Sequence, residues 1–269
     1  MNRLDRLSET LDRMHPSGLL YSTYETRLLQ EIDADNLPRH VAVLADGNRR
    51  WARMNAPDQP LVAGYQAGAD KLTDFVGWCD EAGIQVVTLW VLSTDNLSRS
   101  ADEELLPLLQ VIEDLVVELA ADGRWRVQAM GDMALLPTTM AKALDGARQR
   151  SAGNRGMLVN VAIAYGGRHE LRDAVRSLLR EQAAKGRSLD EVAESLEIDQ
   201  IGEHLYTKGQ PDPDLIIRTS GEQRLSGFLM WQSAHSEFYF CEALWPDFRR
   251  VDFLRALRSF SQRERRFGK

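Results

Sequence analysis

VVTLWVL at residues 86–92, with its counterpart LVNVAIA at residues 158–164, decides the fold class. Both runs are apolar almost throughout, rich in β-branched residues and short for helices. A strand with one wet face alternates apolar and polar residues. A run without alternation is what a parallel strand buried on both faces requires. Working outward, six strands are predicted, over 40–45, 85–92, 125–130, 157–164, 214–218 and 237–241. Helical periodicity separates most of them, over 61–82, 101–121, 134–150, 168–184 and 189–206. Terminal helices are expected over 17–33 and 250–264, and a short one over 226–234. Strands alternating with helices predict a single α/β domain with a six-stranded, mostly parallel sheet surrounded by helices. No repeat, low-complexity block or Pro/Ser-rich linker divides the chain.

SADEELLPLLQVIEDLVVELA, residues 100–120, stands apart from the other helical segments. Ser100 with Glu103 three residues on is a capping box that marks a helix start. The body is apolar on more than one stripe, whereas a surface helix needs a face of only about 100°. Two accounts stay open: a helix buried between the sheet and a dimer partner, or one side lining an apolar cavity. Pro107 is expected inside this helix, removing a hydrogen bond and kinking it.

Composition sets bounds. The 269 residues are 43% apolar, enough for a substantial core, and disorder is excluded as a description of the chain. A net charge of −7 argues against a nucleic-acid binder. The two cysteines, Cys79 and Cys241, form no CxxC and have no His-rich neighbour, a pattern that fits a reducing cytosol. The longest uncharged window, residues 82–94, is far short of the roughly 20 residues of a spanning helix. MNRLDRLSETLDRM carries acids throughout and lacks the apolar core of a signal peptide. A cytoplasmic protein is expected, with peripheral docking at the inner face of the plasma membrane as the alternative left open.

Three polar clusters each follow a predicted strand. Asp46-Gly47-Asn48-Arg49-Arg50 follows the first, with Trp51 behind it. Ser93-Thr94-Asp95-Asn96, with Arg99, follows the second. Arg218-Thr219-Ser220-Gly221-Glu222, with Arg224, Leu225 and Ser226, follows the fifth. Ligands of open parallel sheets bind outside the carboxyl ends of the strands, so the three would meet on one rim. Taken singly, each has a plainer reading: Asp-Gly-Asn as a turn, Ser-Thr-Asp-Asn as helix-capping residues, the arginines as weak surface ion pairs. Together those readings must be invoked three times at one edge. Gly47 lets backbone N–H groups approach a ligand, and a helix start favours an anion. Arg50, Arg99, Arg218 and Arg224 offer planar donors suited to phosphate oxygens. Asp46 among them would repel a phosphate, but it suits Mg²⁺, which bridges carboxylates to phosphate oxygens. Donors for two diphosphates, a hard-metal carboxylate and an apolar helix suggest a lipid diphosphate substrate. GxxxxGK[ST], GxGxxG after a strand, GxSxG, HExxH and DDxxD do not occur, which removes the enzyme classes they mark.

HVAVLADGNRRWA (40–52), LSTDNLSR (92–99), NVAIAYGGR (160–168), PDLIIRTSGEQRLSGFLMWQSAHSEFYF (213–240), WPDF (245–248) and RERRFG (263–268) together resemble the cis-prenyltransferases. That family includes undecaprenyl diphosphate synthase and the short-chain Z-isoprenyl diphosphate synthases. The resemblance runs in order from about residue 38, which makes 37–269 the catalytic domain and 1–36 an N-terminal helical extension. It implies a homodimer, an apolar substrate tunnel above the sheet, and Mg²⁺-dependent condensation of isopentenyl diphosphate with an allylic diphosphate to form a cis double bond.

By position, the resemblance makes Asp46 the essential carboxylate and assigns the allylic diphosphate to Gly47, Asn48, Arg49 and Arg50, with Trp51 packed beneath them. Ser93, Thr94, Asp95, Asn96 and Arg99 would lie where the bond forms and the proton leaves. Arg218, Arg224, Leu225 and Ser226 would hold isopentenyl diphosphate, with Glu237 as a second metal-associated carboxylate. Arg266 and Gly268 match an RxG pattern that reaches into the partner's site. Departures from the long-chain pattern are the longer segment Ala52–Ala63, Leu61 in place of an arginine, Tyr65 in place of a histidine and Leu97 in place of a tryptophan. Val91, replacing a small residue on the tunnel side, would limit chain length. A Z,E-farnesyl-length product from geranyl diphosphate is expected. The alternatives are a medium- or long-chain polyprenyl diphosphate synthase for cell-wall lipid carriers and, outside enzymes, a supporting subunit that lacks the metal-binding aspartate.

Overall fold

A computed structural model describes residues 19–98 and 104–263. In chain order its elements are α1 (Leu19–Glu31), β1 (His40–Leu44), α2 (Asn48–Asn55), α3 (Val62–Glu81), β2 (Val86–Trp90), α4 (Leu106–Ala121), β3 (Arg126–Met130) and α5 (Thr138–Ser151). There follow β4 (Leu158–Ala162), α6 (Gly167–Ala184), α7 (Leu189–Glu194), α8 (Ile198–Gly202), β5 (Leu215–Arg218), β6 (Glu237–Phe240) and α9 (Arg250–Ser261). The six predicted strands all form, and all pair in parallel in the order β3-β4-β2-β1-β5-β6. From β1 the chain runs to one side of the sheet and then crosses to β5 on the other. The carboxyl end of β1 is therefore the switch point at which such sheets bind ligands.

Alternation along the strands divides the core. Val41, Val43, Val87, Leu89, Val159, Val161, Leu215 and Ile217 face the larger cluster, with residues from α3, α4, α5 and α9. Ala42, Leu44, Ala162 and Ile216 face a smaller one with Tyr165, Phe228 and Leu229. The amino-terminal half of that second face is polar: the side chains of His40, Thr88, Asn160 and Gln128 bond in a row across β1, β2, β4 and β3. Of the segment 1–36, Leu28, Leu29 and Ile32 enter the larger cluster, and Glu31 pairs with Arg258 at 2.8 Å, so α1 packs on α9.

Both readings of Asp-Gly-Asn hold in part: the segment turns at Gly47, φ +116°, and then winds as the helix α2. Three expectations need correction. Pro107 is not inside α4 but at its start, since α4 begins at Leu106 after a wider turn at 104–105, and it therefore removes no hydrogen bond of α4 itself. The capping box at Ser100–Glu103 lies outside the described residues. The segment 189–206 is not one helix but two short ones, α7 and α8, and of 226–234 only the start of a 3₁₀ turn, Gln232–His235, is helical. α4 buries Leu108, Leu109, Val111, Ile112, Leu115, Val116, Leu119 and Ala120, which explains its wide apolar face. Beside α4 the described residues line a small apolar pocket, about 30 Å³, with Leu108, Val111, Ile112 and Leu115 among its walls.

Candidate active site

A cleft of about 830 Å³ opens at the carboxyl ends of β1, β2, β4 and β5. It brings together Asp46, Gly47, Asn48, Arg49, Arg50, Val91, Ser93, Thr94, Asp95, Asn96, Arg218, Arg224 and Ser226, so the three clusters do meet on one rim. Trp51 and Leu225 are not on its wall. Trp51 leaves the opposite side of α2 and donates its ring N–H to Asp247 at 2.7 Å. Leu225 packs against the smaller apolar cluster. Arg99, Arg266 and Gly268 lie outside the described residues.

The first wall is the start of α2. Gly47 takes a left-handed conformation, and a Cβ there would stand 2.9–3.0 Å from Leu244. After it the chain enters α2, whose first hydrogen bond runs from Trp51 N–H to Gly47 C=O, leaving the preceding N–H groups aimed outward from the helix start. α2 lies tightly on α3: a Cβ on Gly64 would meet Asn48 O at 2.3 Å, and one on Gly68 would meet Asn48 Oδ1 at 2.6 Å. Asn48 Oδ1 is buried without a hydrogen-bond partner. Arg49 reaches Glu104 at 3.5 Å, and Arg50 Nη2 donates to Ser220 O at 3.3 Å.

Arg218 links the first wall to the second. Its side chain is 5% exposed and that of Asp46 44%, and its Nη2 donates to Asp46 Oδ2 at 3.1 Å. Its Nη1 donates to Ser226 Oγ at 2.9 Å and to the carbonyl of Arg224. One guanidinium thus orients the carboxylate and the loop that carries Arg224 and Ser226. The loop is strained: Ser220, Ser226 and Leu229 all have positive φ, 77°, 51° and 45°. Each costs on the order of 1–3 kcal/mol and persists only where its surroundings enforce it. Here Ser220 N–H donates to Ala243 O at 2.8 Å, Gly221 N–H to Cys241 O at 3.0 Å and Gly167 N–H to Gly227 O at 3.1 Å. Arg224 turns outward and pairs with Glu222.

The third wall, after β2, is a 3₁₀ turn at Thr94–Ser98 in which Asn96 N–H donates to Ser93 Oγ at 3.2 Å. Ser93 therefore also serves the capping role that a plain reading assigns it.

A fourth wall was not anticipated. After β4, Tyr165, Gly166, Gly167, Arg168 and His169 line the cleft. Their signal was YGGR, a fourth glycine-and-arginine cluster behind a strand. Beneath it Glu170, 1% exposed, accepts from Tyr165 Oη at 2.6 Å, Tyr206 N–H at 2.9 Å and Gln232 Nε2 at 3.0 Å. Burial raises its pKa, more than those donors lower it. Tyr165 Oη in turn accepts from Leu229 N–H at 3.1 Å, which fixes the strained loop from below.

Glu237 stands elsewhere. It begins β6, in register with Leu215 and, through it, with Val41, and it pairs with Arg263. From Val41 to Asp46 is five residues, roughly 16 Å along the strand. Within one chain the two carboxylates do not share an ion. Among the described residues no three His, Cys, Asp or Glu side chains gather as a metal cage.

A family model described as undecaprenyl diphosphate synthase matches residues 44–268. The chain is 59% identical to the (2Z,6E)-farnesyl diphosphate synthase of Thermobifida fusca, over 93% of this chain and 97% of that one. It is 52% identical to the short-chain Z-isoprenyl diphosphate synthase of Mycobacterium leprae, over 93% and 96%. Among solved structures it is similar to lavandulyl diphosphate synthase from Lavandula x intermedia in complex with dimethylallyl diphosphate. That similarity has a TM-score of 0.79 and 34% identity, and it covers 87% of this chain and 100% of the other.

Proposed function

The chain belongs to the undecaprenyl diphosphate synthase family, the cis-prenyltransferases, and from that premise we propose that it joins geranyl diphosphate to one isopentenyl diphosphate, giving Z,E-farnesyl diphosphate. The observation that carries this reading is the cleft itself, two cation-lined walls meeting at one carboxylate, with a small apolar cavity behind. The allylic diphosphate lies on the start of α2, against Gly47, Asn48, Arg49 and Arg50. Isopentenyl diphosphate lies against Arg218, Arg224 and Ser226, with Ser93, Thr94, Asp95, Asn96 and Arg99 beside the reacting carbons. Holding two anions side by side removes the entropic and electrostatic cost of their encounter. The arginines and helix N–H groups stabilise charge on the departing allylic diphosphate.

Mg²⁺ fits this donor set. The ion typically takes one or two carboxylates and completes its shell with substrate phosphates and water, and Asp46 offers a half-exposed carboxylate of which Arg218 holds one oxygen. When bound, the ion neutralises diphosphate charge. Glu237 can take part only from a second copy, in a homodimer whose Arg266 and Gly268 reach the neighbouring site. No described helix is long and apolar enough to cross a membrane, and a cytoplasmic location, with or without peripheral docking, fits that.

The test uses purified protein, Mg²⁺, labelled isopentenyl diphosphate and a series of allylic primers, followed by chain-length and double-bond analysis. A single cis addition to geranyl diphosphate is expected, and a product dominated by long polyprenyl chains overturns the reading. Asp46→Ala should lower kcat/KM by about a hundredfold or more. Retained turnover in the presence of a chelator would remove the metal from the account.

A further inference from the structure

The open cleft and the small apolar cavity behind it share Ala45, Asn48, Tyr65, Val91 and Leu108. Beyond that boundary the cavity is lined by Gly68, Ala69, Leu72, Val111, Ile112 and Leu115 and contains no charged group. At about 30 Å³ it has room for a water or two but not for a five-carbon unit. Val111, Ile112 and Leu115 lie on one stripe of α4, continuing from Leu108 toward the interior. The seam between α3 and α4 is thus a short apolar path that borders the cleft.

The three largest apolar or aromatic side chains on that border are Tyr65 from α3, Val91 just past β2 and Leu108 from α4. Tyr65 is the largest and is 4% exposed. Its hydroxyl donates to Glu104 Oε1 at 2.5 Å, and Glu104 also pairs with Arg49 on α2. Its backbone cannot retreat, because the preceding Gly64 already brings α3 against Asn48 O. A growing chain would have to force the ring aside or overpack the space.

We propose that Tyr65, latched by Glu104, is a second chain-length stop beside Val91, facing it across the mouth of the α3–α4 seam. This rests on the short-product reading above. The ring ends the space open to the hydrocarbon after one addition, and Glu104 keeps it from swinging.

The test compares product lengths, after dephosphorylation, from geranyl diphosphate and excess isopentenyl diphosphate. Tyr65→Ala is expected to move most of the product to chains at least one isoprene unit longer. Tyr65→Phe, which keeps the ring but loses the latch, should add a minor longer fraction. Leu72→Ala enlarges the space behind the stop, so alone it should leave product length unchanged, and combined with Tyr65→Ala it should lengthen the chain further. Leu108→Ala opens the same mouth without touching α3, and its product should also lengthen, which keeps the test decisive if Tyr65→Ala folds poorly by thermal melting. If the wild-type product is short and both openings leave it short, this proposal fails and the short-product reading stands. If Tyr65→Phe raises the KM for geranyl diphosphate without any longer product, the hydroxyl serves the diphosphate and the stop is refuted. Long chains from the wild-type protein sink both.

Discussion

At the scale of single residues, the active site depends most on a position without a side chain. Gly47 combines φ +116° with a Cβ direction blocked by Leu244. Gly47→Ala therefore meets two penalties together, an unfavourable backbone region and a clash. A loss of roughly 1–3 kcal/mol in stability is expected, read by denaturant unfolding. A fall in kcat/KM for the allylic substrate should accompany it, because the N–H groups of α2 are aimed by that turn. An alanine variant with unchanged melting and kinetics would show that the loop tolerates another course. Asp46, Arg218 and Ser226 were legible as a group in the sequence because acid, base and hydroxyl recur behind successive strands. Arg168, His169 and Glu170 were not. YGGR carries no carboxylate to distinguish it from a turn, and a buried glutamate is invisible until its donors are known. Trp51, which the resemblance packs beneath the phosphate loop, leaves α2 away from the cleft and donates to Asp247.

At the scale of elements, the loop from Thr219 to Trp231 is held by its neighbours rather than by its own propensity. Leu229 adopts a left-handed conformation while its N–H donates to Tyr165 Oη, and Tyr165 donates to the buried Glu170. Tyr165→Phe removes both bonds and leaves a buried carboxylate short of a donor, costing about 1–3 kcal/mol. Since Arg224 and Ser226 ride on this loop, part of that cost should appear as a KM for isopentenyl diphosphate raised by about tenfold, the equivalent of 1.4 kcal/mol. The KM for geranyl diphosphate, whose proposed site is on α2, should stay put. Initial-rate measurements with each substrate varied in turn decide this; equal rises in both constants would mean that Tyr165 supports the fold generally. The four inner strands were readable from runs rich in β-branched residues, because burial on both faces writes itself into composition, whereas the edge strands β3 and β6 are partly exposed and β6 showed itself through its aromatic residues. α2 escaped because Asp-Gly-Asn signals a turn as strongly as it signals a helix start. Pro107 misled because, without a known boundary, a proline in a first turn looks the same as one in a helix interior.

At the scale of the whole molecule, the sheet carries a polar row that its apolar strands conceal, and the row sets a pH limit on stability. His40 is fully buried on β1. The carbonyl of Pro211 can only accept, so His40 Nδ1 carries the proton and donates to it at 2.7 Å, while Nε2 accepts from Thr88 Oγ1 at 2.8 Å. Asn160 then donates to Thr88 at 3.0 Å and to Gln210 at 2.6 Å, and Gln128 donates to Asn160 at 2.8 Å. Such a chain needs a neutral imidazole. Burial, more than the opposing pull of Pro211 and Asp214, lowers its pKa from 6.5 to about 4. Between those values the unfolded chain binds a proton that the folded chain refuses, so stability falls as pH falls through that window. The full shift is worth on the order of 3 kcal/mol, of which about 2 kcal/mol is lost by pH 5. Glu170, with its pKa raised by burial, contributes with the opposite sign, so a single pH profile mixes the two. Urea unfolding at pH 7 and pH 5 of the wild-type protein and of His40→Gln separates them, because Glu170 is common to both. The variant should be the less stable at pH 7 and should lose about 2 kcal/mol less on acidification. Equal losses in the two proteins would mean that the imidazole is charged in the fold, held by Asp214, and that the row is not the neutral one its hydrogen bonds describe.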